Sequence, residues 1–144
     1  MKISTKGRYA LRVMIDLATH QADGLIPLHE IAEREGITVK YLEQIIAQLN
    51  RAGFLHSVRG KSCGYRLQRK TEEYTVGEIL RASEGKMFPA ACVSHEGVPC
   101  DRQGDCPAQA FWVEFYENIN QFLDSKTLCD LIPGRSDCPS TDPN

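Results

Sequence analysis

The chain alternates between short amphipathic blocks and brief polar breaks. From Thr5, apolar residues return at helical spacing, Tyr9, Val13 and Leu17 in one series and Ala10, Met14 and Ala18 in another. This predicts a helix with a single apolar face. His20 to Pro27, with Gly24 inside it, predicts a connector. Leu28, Ile31 and Ala32 predict a second, short helix, and Gly36 a tight turn after it. Thr38 is placed to cap a third helix, with Leu42, Ile45, Ile46 and Leu49 as its core face and Gly53 as its stop. Two short helices about a glycine turn make a helix-turn-helix, an arrangement that ordinary two-helix corners also reach.

The period then changes. Phe54–Val58 and Tyr65–Leu67 read as strands joined by a turn from Arg59 to Gly64. A basic hairpin directly after a helix-turn-helix is the mark of a winged helix, whose wing could use Arg59, Lys61 and Arg66 on DNA. The alternative is a hairpin that only packs beside the helices. Thr75 and Glu78 form a capping box, and the helix they start ends at Gly85. Residues 86–106 show no period. Pro107 suits the first position of a long helix along which Trp112, Phe115, Tyr116, Ile119, Phe122 and Leu123 recur. Five aromatics fall between residues 111 and 122, more than one lone helix can hide. Packing against a twin helix in a second subunit would bury them, as would folding back on the winged helix.

The expected fold class is therefore mainly α with a small β-wing. A winged helix-turn-helix domain spans 1–85, a cysteine-bearing loop 86–106, a dimerisation helix and following segment 107–132, and a flexible, turn-rich tail 133–144.

Charge sharpens this picture. The net charge is −2, yet residues 34–70 carry eight Lys/Arg against only Glu35 and Glu43. Residues 71–144 carry five basic and thirteen acidic side chains. The middle segment could meet a polyanion or could be a solvated basic face. No apolar run reaches membrane-spanning length, and Arg12 and Asp16 interrupt the N-terminal apolar stretch, so neither a membrane span nor a secretory signal is expected. The expected compartment is the cytoplasm. No nucleophile–base arrangement or phosphate loop stands out, so an enzyme is not expected.

Three of the six cysteines, Cys92, Cys100 and Cys106, share one loop, with gaps of seven and five residues. In a reducing compartment such clustering points to metal or redox chemistry more than to disulfides. Thiolates suit iron–sulfur clusters, and Cys106 directly before Pro107 would lie at a helix N-terminus, which favours the thiolate. Zinc with His95, thiol-based redox sensing and inert cysteines are the alternatives. Cys63 in the wing reads as a bystander, and Cys129 and Cys138 as packed or tail thiols.

MKISTKGRYAL at the start, YLEQ at 41–44, VRG at 58–60, GY at 64–65, VGEILRASEG at 76–85 and the cysteine loop before a long helix together resemble the Rrf-two family of bacterial winged-helix regulators. The resemblance covers residues 1–132, and the cysteines resemble its iron–sulfur branch. It implies a homodimer on an operator in double-stranded DNA. It also implies a 2Fe–2S cluster on Cys92, Cys100 and Cys106, control of cluster-assembly genes in the manner of a repressor or activator, and possible contact with cluster-assembly proteins. Two departures stand out. That branch usually has a first gap of five residues, and a histidine where this chain has Gln109. A nitric-oxide-sensing branch has an acidic residue where this chain has Arg8. His95, Cys129 or a residue of the other subunit could be the fourth ligand.

For DNA, residues 38–51 are expected in the major groove. Thr38, Lys40, Tyr41, Glu43 and Gln44 lie at the outward start of that helix. Gln44 has the amide suited to adenine, and Glu43 can accept from cytosine. The resemblance implies that Glu43 discriminates two classes of site. Arg59 would enter a groove and Lys61 would hold backbone. Two rivals remain: a cluster-free regulator of cysteine and sulfur metabolism acting through thiol state or a partner enzyme, and an iron–sulfur electron-transfer or carrier protein.

Overall fold

The computed structural model describes residues 1–94, 100–135 and 138. The described elements are α1 (Thr5–His20), α2 (Leu28–Glu35), α3 (Val39–Arg51), β1 (Leu55–Val58), β2 (Gly64–Leu67), α4 (Val76–Glu84) and α5 (Gln109–Ser125). β1 and β2 form an antiparallel pair, Leu55 opposite Leu67 and Val58 opposite Gly64. Short 3-10 turns follow α1 and punctuate the connections at 71–73, 91–93 and 129–131.

One core joins α1, α2, α3, the hairpin and α4. Ala10, Val13, Met14 and Leu17 of α1 meet Ile31 of α2, Leu42, Ile45 and Leu49 of α3, Leu55 and Leu67 of the hairpin and Ile79 of α4. These are the apolar stripes of the sequence, so the period alone selected the buried faces. Gly36 turns α2 into α3 with φ of 65°, a left-handed geometry that glycine adopts without a Cβ penalty. Asp16, almost buried, receives Nε and Nη2 of Arg34 at 2.7 and 2.9 Å and so ties α2 to α1. That hydrogen bond raises the Arg34 pKa above its ordinary value, while burial opposes it.

Tyr74 holds the base of the wing. Its hydroxyl donates to the Phe54 carbonyl at 2.7 Å and accepts from the Gln68 and Arg69 amides at 3.1 and 2.9 Å. Its ring stands edge-on to Phe54, with centroids 5.5 Å apart, and Arg69 lies over its face at 4.3 Å. The Tyr74 carbonyl accepts from Leu128 beyond α5 at 2.9 Å. One fully buried residue therefore joins both ends of the hairpin to the entry of α4 and the exit of α5.

Two expectations need correction. α5 begins at Gln109 rather than at Pro107, because Cys106, Pro107 and Ala108 form a turn in which the Gln109 amide bonds the Cys106 carbonyl at 3.1 Å. Cys106 thus lies a turn ahead of the helix rather than against its N-terminus. Cys129 and Cys138 are joined in a disulfide and are neither a lone packed thiol nor a lone tail thiol. Most of the tail expected to be flexible, residues 136, 137 and 139–144, lies outside the described residues. The connector before α2 also holds a structural bridge the pattern did not suggest, with Ile26 pairing with Tyr65 of the wing.

Tyr74→Phe keeps the ring and removes the hydroxyl, leaving the Arg69 amide without its acceptor and the Phe54 carbonyl with the Gln68 amide alone. Urea denaturation is expected to show a loss of about 1–3 kcal/mol. A stability equal to the parent chain would show that the hydroxyl does not hold the hairpin.

Candidate functional site

α3 is built to present one face. Thr38 caps it, accepting from the Tyr41 amide at 3.1 Å. Leu42, Ile45, Ile46 and Leu49 are buried, which leaves Lys40, Glu43 and Gln44 exposed on the opposite stripe. Tyr41 is half-buried and meets Tyr9 edge-on, centroids 6.0 Å apart, so α1 holds part of the ring. Val39, 41% exposed, stands beside these polar residues. It is an apolar group that can touch a thymine methyl, and spacing did not single it out, because Leu42 and Ile46 follow it at helical intervals as on a core face.

In the wing, Arg59 and Lys61 are exposed on the turn between β1 and β2, where Gly60 takes φ of 107°. Cys63, also exposed, closes this turn through its amide to the Gly60 carbonyl at 3.1 Å. Arg66 sits on β2 opposite His56, on the hairpin face turned away from Leu55 and Leu67.

The three loop cysteines are all free thiols. Cys92 lies half-buried in the turn Ala91–Val93, whose Val93 is buried. Cys100 is exposed and starts a turn in which its carbonyl accepts from Gln103 at 2.9 Å. Cys106 is half-buried. Among the described residues no three His, Cys, Asp or Glu side chains are gathered as a metal site, so the three thiols are not brought together. His95 lies outside the described residues. Cys129 is bonded to Cys138 and has no thiolate to offer. Gln109 accepts through its side-chain oxygen from the Gly104 amide at 3.1 Å, so its one good ligand atom serves the loop. The donor set of three unpaired thiols fits a thiolate-held cluster by its chemistry, and Gln109 does not complete it.

Two links join α5 to α4 and α4 to the start of α1. Arg81 on α4 donates to Asn120 at 3.2 Å and pairs with Asp124, both on α5. Gly77 leaves the room for this, since a Cβ there would fall 2.0 Å from the Asp124 carboxylate. At the far end of α4, the Glu84 carboxylate accepts from the Ser4 amide at 2.9 Å and from its hydroxyl, over the N-terminus of α1. Gly7 makes that approach possible, because its Cβ would fall 2.1 Å from the same carboxylate. Neither link was legible from spacing, since each joins residues far apart in sequence.

α5 itself has no buried residue. Phe111 is 57% exposed and Phe122 62%, and with Phe115 and Ile119 they line an open apolar cavity of 380 Å³. Such a face on a long helix is unfinished in one chain.

A capped, outward-facing second helix of a helix-turn-helix, followed by a basic two-stranded wing, defines a winged-helix DNA-binding regulator. The sequence matches the family described as "Rrf2: Iron-dependent Transcriptional regulator" over residues 3–134, and the chain belongs to that family. It is 39% identical over 132 residues to the HTH-type transcriptional regulator IscR of Aliivibrio salmonicida (strain LFI1238), covering 92% of this chain and 77% of that one. Among solved structures it resembles CymR, the global cysteine regulator of B. subtilis, with TM-score 0.73, 37% identity and coverage of 91% and 95% of the two chains. It also resembles IscR of T. potens, with TM-score 0.70, 38% identity and coverage of 91% and 85%. These relatives are transcription regulators rather than enzymes. Among the described residues no helix is long and apolar enough to cross a membrane.

Proposed function

We propose that this protein is a dimeric transcription regulator that reads operator DNA with α3 and the wing and responds to a 2Fe–2S cluster. The observation that carries the reading is the set of three free thiols on one loop directly ahead of α5, in a chain of this family. Cys92, Cys100 and Cys106 would hold the cluster, whose iron and redox state supply a signal of cluster supply. The genes controlled would be those of cluster assembly. A fourth ligand comes from outside Gln109 and Cys129, both already engaged.

For DNA, Gln44 suits an adenine edge and Glu43 a cytosine amino group, while Lys40, Arg59 and Lys61 suit phosphate. Thr38 sets the start of the reading helix, and Tyr41 adds a phenol at its inner edge. The homodimer forms by pairing the apolar faces of two α5 helices, as expected for a winged helix that reads two half-sites. Loop and reading helix communicate through α5, Arg81 and α4, so a change in the loop repositions the two winged helices.

A second reading is favoured by Gln109 serving its own loop and by the likeness to CymR: a cluster-free regulator of sulfur metabolism that answers to thiol state or to a partner enzyme. Anaerobic purification separates the two. Cluster binding predicts a coloured protein with about two iron and two sulfide per chain, lost in Cys100→Ser. Colourless protein that also resists reconstitution favours the second reading.

Phe122→Glu places a charge in the α5 face and is expected to weaken self-association by at least about tenfold in analytical ultracentrifugation. An unchanged dimer would put the interface elsewhere.

Glu43→Ala is expected to broaden site choice, and Lys61→Ala to weaken every site alike and lower the salt slope by about one. Titrations on two operator sequences check this. Equal losses on both for Glu43→Ala would remove Glu43 from site discrimination.

A further inference from the structure

An open cleft of 990 Å³ lies where the end of α1, the outer face of the wing hairpin and the segment after α5 meet. Its volume is within the range of about 300–1,000 Å³ usual for small-molecule sites. His56 and Arg66 line it from paired positions on β1 and β2, and Arg135 from the segment after α5. Gln21, Gln68 and Thr19 add neutral hydrogen-bonding groups. Among the described residues none of its lining side chains is acidic. Neither the His56 nor the Arg66 side chain makes a hydrogen bond or ion pair among the described residues, whereas the side chains of Arg12, Arg34, Arg69 and Arg81 all make ion pairs. Among the described residues Arg135 makes a long bond, 3.4 Å, to the Thr71 hydroxyl.

Arg135 lies between two anchored points. Leu128 and Ile132 are buried in the core, and the Cys129–Cys138 disulfide closes the segment across Ile132, Pro133 and Arg135. A cleft lined by two guanidinium groups suits an anion that bridges them. Two cations lining one cleft repel each other, and a bound anion relieves that repulsion.

We propose that this cleft is a binding site for a small multivalent anion of carboxylate or phosphate type, bridged between Arg66 and Arg135 with His56 as a further donor. The site is separate from the loop cysteines and from the exposed face of α3. It gives the protein an input from a small metabolite that does not pass through the loop.

The test is isothermal calorimetry on the full chain with citrate and with inorganic phosphate as separate probes. Binding of at least one, saturable at one per chain, is expected. Arg66→Gln and Arg135→Gln should each lower affinity by about tenfold, the loss of one charged contact. Thermal melts confirm that both variants fold, and Lys61→Ala should bind as the parent does. Citrate binding alone assigns the carboxylate class, and phosphate binding alone the phosphate class. The proposal is overturned if neither probe saturates, or if the folded arginine variants bind as tightly as the parent. It is also overturned if those variants lose operator DNA while no small anion binds, which would make the cleft part of the DNA surface.

Discussion

The buried hydroxyl of Tyr74 is the constraint on which the geometry of the reading head rests. Two strands of four residues each are too few to be stable alone. Here one phenol satisfies a carbonyl at the start of the hairpin and two amides at its end, so the strands leave and re-enter the core at fixed points. The same residue receives the chain as it returns from α5. The orientation of the wing and the anchoring of the long helix are thus decided at one place.

The carboxylates of Glu84 and Asp124 perform a similar service at longer range. Each lies over a glycine that gives it room, Gly7 and Gly77, and each meets a polar group on another helix. Together they make α4 a strut between α1 and α5. Under the proposed function this strut is the physical route by which a shift of α5 would reach the helices that pack on α3. The sequence around both glycines belongs to the stretches that carry the family resemblance, GRYAL and VGEILRASEG, and these contacts supply a physical reason for glycine within them.

Much of this could be read before the structure. The helices, the caps at Thr38 and Thr75, the glycine turn and the hairpin follow from periodicity and local hydrogen bonding, which act over a few residues. What escaped reading was set by contacts across the chain. The role of Tyr74 depends on the hairpin ends meeting beneath α4, and the glycine cradles depend on side chains 77 and 47 residues away. The start of α5 was misjudged because Pro107 fits a first helical position and equally fits the turn it occupies. The disulfide was discounted on an assumption about compartment, which is not a property of the two cysteines themselves. The candidate site was legible as residue types on elements, while the engagement of Gln109 by Gly104 needed the folded loop.

The Cys129–Cys138 bond closes a ring with a sequence separation of nine. Closing a ring of that size restricts the unfolded chain, an effect worth roughly 2.5 kcal/mol on the loop-entropy account. That is a sizeable share of the stability of a small domain. Reduction of this bond would remove that contribution, so the stability of the domain would follow the thiol chemistry of its surroundings, with a reducing medium favouring more frequent opening.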